Sequence, residues 1–395
     1  MNPDPVVLIV SSAFGDGHAK VAQAIEQSFK SRGVDRVHVV DLFAEVHPWL
    51  NGVSRAFYLK SAVYAPNIYG LMYNTTSGMK PDYPFGRLLH SMGKRKAKEV
   101  LEEIRPDVII HTFPYLAASQ LGKESAIQVP VFTVLTDYVL HGRWIHPHTM
   151  KYFIPTESIK EALLSAGIDE QAITVSGIPI REAFTRSPNR AEVLQKHGLR
   201  DNRRYILLAG GAYGVMARIR NILKSVLDHT DFDFIVLCGN NDRLRESLED
   251  TYRDNSRVHI LGYTDDVHEL MSISFCLLTK AGGVTLTEAF AMLLPVIVYR
   301  PLPGQEAGNA ESLSMQKAIY TACNERELLD RLRRLGIQSF REEIERQMKA
   351  ISRTESSSRI VDEVMNAIKE RPSYAGRILK KTEGKGKAKT ARGYR

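Results

Sequence analysis

The stretch Thr279-Lys-Ala-Gly-Gly-Val-Thr-Leu-Thr-Glu288, with its continuation Pro301-Leu-Pro-Gly-Gln-Glu306, decides how this chain is read. An apolar run, Phe275-Cys-Leu-Leu-Thr279, has the pattern of a buried strand, and the glycine pair after it opens a helical pattern from Thr285 to Leu293. A glycine turn at the carboxyl end of a strand aims backbone N–H groups and the positive end of a helix dipole at an anion. Glu288 lies one turn into that helix, where a carboxylate can accept the hydrogen bonds of a ribose diol. The apolar run Leu294 to Tyr299 then delivers Gln305 and Glu306 on the next loop, about where sugar hydroxyls would need partners. Gly282-Gly283 alone also fits an ordinary helix start. The whole spaced set describes diphosphate, ribose and hexose, the parts of a nucleotide sugar.

Outward from that stretch the sequence reads as two halves of alternating strand and helix. Val6 to Val10, Val37 to Val40, Val108 to Ile110 and Val131 to Leu135 are short apolar strands, with a helix expected from about Lys20 to Ser31. A second series begins with Tyr205 to Leu208 and continues through Phe234 to Leu237, Val258 to Leu261, Phe275 to Leu278 and Val296 to Tyr299. Continuous apolar strands separated by helix-compatible sequence predict α/β architecture with parallel sheets covered on both faces. The boundary is expected near Pro179 to Arg181, giving domains over 1–180 and 181–371 and a basic tail over 372–395. Helix-compatible sequence around Arg353 to Lys369 would finish the fold.

With 395 residues, the chain is too long for one ordinary core and suggests two domains. Its 44% apolar and 25% charged residues are those of a globular protein. Three dispersed cysteines (Cys238, Cys276, Cys323) argue against a disulfide framework or a zinc site. The N-terminus lacks the pattern of a signal peptide, and no apolar run approaches the ~18 residues needed to span a bilayer. The expectation is a cytoplasmic protein whose membrane contact is peripheral.

Net charge is +8, and the segment Pro372 to Arg395 holds eight Lys or Arg against one Glu, a balance of +7. A second basic group, Lys80, Arg87, Lys94, Arg95, Lys96 and Lys98, follows an aromatic stretch containing Trp49, Phe57, Tyr58, Tyr64, Tyr69 and Tyr73. Aromatics beside basic residues suit an anionic membrane surface, although core packing explains the aromatics and a solvated or nucleic-acid-binding tail explains the charge. Gly15-Asp-Gly17 begins like a dinucleotide fingerprint, but Lys20 stands where the third glycine belongs. Asp231-Phe-Asp233 mimics a metal-binding Asp-x-Asp, yet it lies at the entrance to a strand, where a turn role suits it. A required divalent metal is not implied, nor any other cofactor.

The donor stretch resembles the signature of inverting GT-B glycosyltransferases that use UDP-sugars. Within them the chain looks most like the diacylglycerol glucosyltransferases of Gram-positive bacteria, with monogalactosyldiacylglycerol synthases more distant. The resemblance extends to Ser11-Ser-Ala-Phe-Gly-Asp-Gly-His18, Thr112-Phe-Pro114, Thr136-Asp-Tyr-Val-Leu-His141 with Trp144, Gly177-Ile-Pro-Ile-Arg181 and Ala209-Gly-Gly-Ala-Tyr-Gly214. Lys280-Ala281 departs from the usual Lys-Pro, and the sequence after Asn309 is atypical. The resemblance implies two Rossmann-like, doubly wound domains facing a central cleft, the last helix returning to the first domain. It implies transfer of glucose from UDP-glucose to diacylglycerol at an anionic membrane, on the inner face of the cell membrane, with no nucleic acid involved. UDP-galactose or another lipid acceptor is the alternative, and a non-catalytic nucleotide-sugar sensor is a further one.

Inverting transfer needs a base for the acceptor hydroxyl and positive potential on the departing diphosphate. His18, after the glycine turn, and Asp137, at a strand end, are the candidate bases, both implicated by the resemblance. Gly15, Gly17, His141 and Trp144 would line the acceptor side, and Trp49, Tyr58, Lys94, Arg95 and Lys96 would meet the membrane. On the donor side, Gly210, Gly211, Ala212 and Tyr213 would surround diphosphate, with Gly282, Gly283 and Val284 approaching from the next turn. Tyr263 and Thr264 resemble the segment whose backbone reads uracil. Glu288 would hold the ribose, Gln305 and Glu306 the hexose, and Arg181 and Lys280 are candidates to neutralise phosphate.

Overall fold

The computed structural model describes residues 4–12, 16–41, 44, 94–114, 129–146, 148–211, 214, 216 and 218–369. The first half contains β1 (Val7–Ser11), α1 (Asp16–Lys30), β2 (Val37–Asp41), α2 (Lys94–Ile104), β3 (Val108–His111), β4 (Val131–Val134), β5 (Lys151–Ile154), α3 (Glu157–Ser165) and β6 (Ile173–Val175). The second begins with α4 (Arg190–Lys196), β7 (Tyr205–Ala209), α5 (Ile219–His229), β8 (Asp233–Leu237), α6 (Asp242–Tyr252), β9 (Val258–Leu261) and α7 (Val267–Ile273). It continues through β10 (Ser274–Thr279), α8 (Gly283–Ala291), β11 (Val296–Tyr299), α9 (Gln305–Met315), β12 (Tyr320–Ala322), α10 (Glu325–Leu335), α11 (Gln338–Ile351) and α12 (Ser356–Lys369).

Among the described residues each half forms a six-stranded parallel sheet, ordered β2-β1-β3-β4-β5-β6 and β12-β11-β10-β7-β8-β9. Every residue of β1, β3, β4, β7, β8 and β11 is buried, which is why these strands are unbroken apolar runs rather than alternating ones. Fully burying one such Leu, Ile or Phe side chain stabilises by roughly 1.5–3 kcal/mol. The edge strand β2 keeps partial exposure along its length. The strand order reverses between β1 and β3 in the first sheet and between β7 and β10 in the second. Loops after the carboxyl ends of the strands therefore face a crevice at each switch point.

The structure corrects several sequence boundaries. α1 starts at Asp16 rather than near Lys20, which puts His18 inside the first helical turn, with Asp16 favourably placed against the dipole. α8 starts at Gly283, two residues before the expected Thr285, because the glycine is there for close approach and not only to turn the chain. α5 begins at Ile219, after Arg218 in a left-handed conformation (φ 57°). Gln305 and Glu306 head helix α9 instead of lying on a loop; Gly304 (φ 97°) reverses the chain just before them. Strands β5, β6 and β12 were not anticipated, being only three or four residues long with Lys or Thr among them. Asp233 opens β8 and is buried between Arg203 and Arg257, so the Asp-x-Asp pair is structural. Cys238 and Cys276 are buried and Cys323 is exposed, all free.

Among the described residues the chain crosses between the halves twice, and the two crossings touch. α12 packs on α1, with Arg32 Nη2 3.1 Å from Asp362 and Lys151 Nζ 2.6 Å from Glu363 Oε2. Gly177 (φ 85°) lies against Arg353, and the Ser356 hydroxyl donates to the Gly177 carbonyl at 2.8 Å in a buried position. A Cβ at Gly177 would stand 2.5 Å from the Arg353 Cβ, so only glycine permits this crossing.

Across the crevice the helix N-termini α1 and α8 meet. A Cβ at Gly283 would be 2.2 Å from the Thr136 carbonyl oxygen and 3.1 Å from the Asp137 Cα. One at Gly17 would be 3.3 Å from Val284 Cγ2. Gly282 has open space at the same test. Gly283→Ala is expected to push the halves apart and lower the melting midpoint, with a cost of about 1–3 kcal/mol for the overpacked contact. Gly282→Ala should melt as the wild type does. Differential scanning calorimetry of both variants checks this, and equal midpoints would show that the close approach carries no strain.

Candidate active site

His18 is fixed by its own half. Its Nδ1 lies 2.8 Å from the Thr112 carbonyl oxygen and 3.1 Å from the Thr136 hydroxyl. A carbonyl can only accept, so Nδ1 carries the proton and Nε2 presents its lone pair. The ring stands edge-on to Phe113 at 4.9 Å and tilts toward Trp144 at 6.3 Å. Burial pulls its pKa below the ordinary histidine value, against the opposing pull of the Asp137 charge and the Thr112 carbonyl. The result is a neutral imidazole at the amino end of α1, with the chemistry of a proton acceptor.

Asp137 comes from the loop after β4 and is 5% exposed. Its Oδ1 accepts from the amide of Gln305 and from Asn309 Nδ2 at 3.1 Å, so a first-half carboxylate is held by a second-half helix. Tyr138 crosses as well: its hydroxyl bonds Thr287 Oγ1 at 2.8 Å, and Thr287 donates to the Gly283 carbonyl at 2.8 Å. Burial raises the Tyr138 phenol well above its usual range, which keeps it neutral.

On the second half, the Glu288 carboxyl is buried beneath the first turn of α8. Burial pushes its pKa up to about 7, with Arg181 and Lys20 pulling the other way. Arg181 Nη2 is 3.9 Å from Glu288 Oε1, and neither atom makes a hydrogen bond, although both are buried. Orphaned buried donors and acceptors side by side leave bonding capacity for a polar ligand. Arg181 also donates to the Asp265 carbonyl at 3.2 Å, which places it at the Glu288 end of the crevice rather than over the glycine turns. Lys280 takes that other position: its Cε would be 3.0 Å from a Cβ on Gly211, and its Nζ is 3.2 Å from Glu306 Oε1. Glu306 in turn accepts from the Leu302 N–H at 3.2 Å. Tyr263 is 47% exposed with Lys20 Nζ 5.7 Å from its ring centroid, while Thr264 Oγ1 accepts from the Asp266 N–H at 3.0 Å.

The expected site residues therefore gather in two groups facing each other: His18, Gly17 and Asp137 on one side, and Gly211, Lys280, Gly282, Gly283, Val284, Glu288, Gln305 and Glu306 on the other. Gln305 is turned to Asp137. His141 is buried, with Nδ1 accepting from the Arg143 N–H at 3.1 Å as the cap of a short helical turn. Trp144 packs with Leu135, Tyr152 and Ile159, its ring centroid 6.3 Å from that of His18. Gly15, Trp49, Tyr58, Ala212, Tyr213 and the tail over 372–395 lie outside the described residues, as does the side chain of Lys94. Arg95 is 94% exposed, but it and Lys96 pair with Glu99, and Lys98 with Glu102, which moderates the charge of α2. Sequence reasoning missed Lys20, which faces Glu288 and Tyr263, and Asn309. The signal for Asn309 was its spacing, one helical turn beyond Gln305. Among the described residues there is no metal-holding group of three or more His, Cys, Asp or Glu, and no helix long and apolar enough to cross a membrane.

Two family models match the chain: monogalactosyldiacylglycerol (MGDG) synthase over residues 18–180 and UDP-N-acetylglucosamine 2-epimerase over residues 143–365. A processive diacylglycerol beta-glucosyltransferase of Bacillus cereus (strain B4264) is 32% identical over 367 residues, covering 92% of this chain and 94% of the relative. Among solved structures, the UDP-GlcNAc 2-epimerase of Neisseria meningitidis bound to UDP-GlcNAc aligns with a TM-score of 0.59 at 17% identity, covering 91% of this chain and 99% of that one. MurG of Acinetobacter baumannii aligns at 0.56 and 15% identity, covering 92% and 100%. Those two likenesses concern the fold, and they agree with the expected GT-B pair of Rossmann-like domains. The epimerase model covers only part of the chain, whereas the glucosyltransferase match runs nearly end to end in both proteins: the chain belongs to the family of processive diacylglycerol β-glucosyltransferases.

Proposed function

We propose that the chain transfers glucose from UDP-glucose to the free hydroxyl of 1,2-diacylglycerol with inversion. One observation carries the reading: a neutral His18 and the Asp137 carboxylate of one half stand against the glycine-headed N-terminus of α8, beneath which Glu288 is buried. In the proposed step the acceptor oxygen attacks the anomeric carbon and the bond from that carbon to the diphosphate oxygen breaks. His18 Nε2 takes the hydroxyl proton. Backbone N–H groups of Gly283 and Val284 and the Lys280 ammonium receive the charge that develops on the leaving UDP, so no metal is required. Glu288 accepts from the ribose diol, and Gln305 and Glu306 turn from Asp137 and Lys280 toward the hexose.

Incubation with diacylglycerol vesicles and radiolabelled UDP-glucose or UDP-galactose in excess EDTA, followed by lipid separation, tests the reading. Glucosyl-diacylglycerol is expected and galactosyl product is not. His18→Ala should lower turnover by about two to four orders of magnitude while leaving donor affinity nearly unchanged. If His18→Ala stays near wild type while Asp137→Asn is inactive, Asp137 is the base.

The pH dependence follows from Glu288. A ribose diol brings two O–H donors, and protonation of the carboxyl turns one of the two acceptor oxygens into a donor. With the pKa at about 7, the receptive ionised form prevails above that pH and declines below it. UDP affinity measured calorimetrically should therefore weaken several-fold from pH 8 to pH 6. Glu288→Gln should bind more weakly at pH 8 and lose that part of the slope. The same slope in both proteins would remove Glu288 from the ribose site.

The acceptor is insoluble, so we place the protein peripherally on the inner face of the cell membrane, held by the aromatic and basic region over 49–98 and by the basic tail. Each Lys or Arg near an anionic surface contributes roughly 1 kcal/mol, screened over about 10 Å at 0.1 M salt. Co-sedimentation with anionic vesicles should exceed that with neutral ones and fall across a salt series. Charge reversal at Arg95 and Lys96 should reduce it. Equal recovery with both vesicle types would remove the electrostatic part.

A further inference from the structure

We propose that Asn309 is a positioning residue that fixes the orientation of the Asp137 carboxylate from the opposite half of the molecule. This rests on the transfer reaction proposed above, in which Asp137 is the alternative to His18 as the base. Asn309 lies on α9, is fully buried, and its carboxamide is completely engaged. Its Oδ1 accepts from the Tyr138 N–H at 2.7 Å; its Nδ2 donates to the Ala281 carbonyl at 3.0 Å and to Asp137 Oδ1 at 3.1 Å.

These partners leave the amide one orientation. The Tyr138 N–H can only donate, so it must face the oxygen; the Ala281 carbonyl can only accept, so it must face the nitrogen. A flipped amide would put two donors together at one end and two acceptors at the other. The second N–H then points at Asp137 Oδ1, which the Gln305 amide reaches as well. Asn309 commits Oδ1 as an acceptor even once Gln305 has turned to the hexose, and any proton or hydroxyl that Asp137 handles must meet Oδ2. One side chain thereby ties three backbone or carboxylate groups together: Asp137 and Tyr138 after β4, and Ala281 in the glycine turn ahead of α8. Because Asn309 is a single turn beyond Gln305, displacement of α9 by a donor sugar would be felt directly at Asp137. Ser or Ala at 309 cannot reach all three groups, and Asp would set a carboxylate oxygen against two acceptors.

The test is a double-mutant cycle of Asn309→Ala and Asp137→Asn, with donor KM, UDP affinity and melting measured alongside turnover. Asn309→Ala alone should lower kcat by about a hundredfold, the scale of loss when a reacting group is misplaced by about 1 Å, with UDP affinity within about threefold of wild type. In the Asp137→Asn background the same substitution should cost almost nothing further, since the two act through one carboxylate. Equal fold-losses in both backgrounds, or a loss confined to donor KM, would overturn the assignment. Asn309→Ser, uncharged and too short to reach all three groups, provides the second variant should Asn309→Ala fail to fold; it should show the same kcat-selective loss. Absence of any glucosyl transfer by the wild type would count against the function alone. The Asn309 contact is then read by hydrogen exchange of the Tyr138 amide, expected to be slow in the wild type and faster in Asn309→Ser, which lacks the accepting carboxamide oxygen. Unchanged exchange would overturn it.

Discussion

The missing side chain at Gly283 sets the rest of the cleft in place. Because nothing projects from its Cα, the first turn of α8 can rest on the Thr136 carbonyl and the Asp137 backbone of the other half. From that contact follow the reach of Asn309 to Asp137, the bond between Tyr138 and Thr287, and the approach of Gly17 to Val284. Two helix N-termini are thereby brought to the same small space. Each alone would be an anion site of modest strength; together they concentrate N–H groups and positive dipole ends beside the charged side chains of Lys280, Arg181 and Lys20.

Electrostatic roles in the cleft are assigned by how each buried group is partnered. Glu288 is buried with Arg181 nearly 4 Å away and a bare Oε1, so desolvation dominates and it holds its proton to about pH 7. Asp137 is just as buried but receives two amide donors on one oxygen. His18 is desolvated into its neutral form while Thr112 fixes its tautomer. Partnering thus separates an acceptor waiting for hydroxyls, an anchored carboxyl group and a neutral base.

Much of this was legible in the sequence, and the remainder was hidden for identifiable reasons. The central strands are buried on both faces, so they print as runs such as Val7 to Val10 or Tyr205 to Leu208 and are easily seen. The edge strand β12 and the outer strands β5 and β6 are short and mixed in character, and left no such mark. His18, Asp137, Glu288 and the glycine pair could be found because strand-turn-helix junctions announce where ligands gather. The partnership of Gln305 and Asn309 with Asp137 could not, since it joins residues some 170 positions apart through tertiary contact. Helix starts were misjudged at Asp16 and Gly283 because glycine reads locally as a breaker, while here it buys proximity.

The side-by-side passage of the chain at Gly177 and at Arg353 to Ser356 has a mechanical meaning. Two covalent links set far apart would brace the halves against each other; two links fastened at one spot act as a single pivot. Opening of the crevice is then a swing about that spot, with displacement growing with distance from it. Sliding of one sheet past the other would have to tear the Ser356 bond and drive Arg353 into Gly177. The crevice rim thus travels furthest for a given rotation, giving a bulky lipid and a nucleotide room to exchange with little rearrangement at the axle.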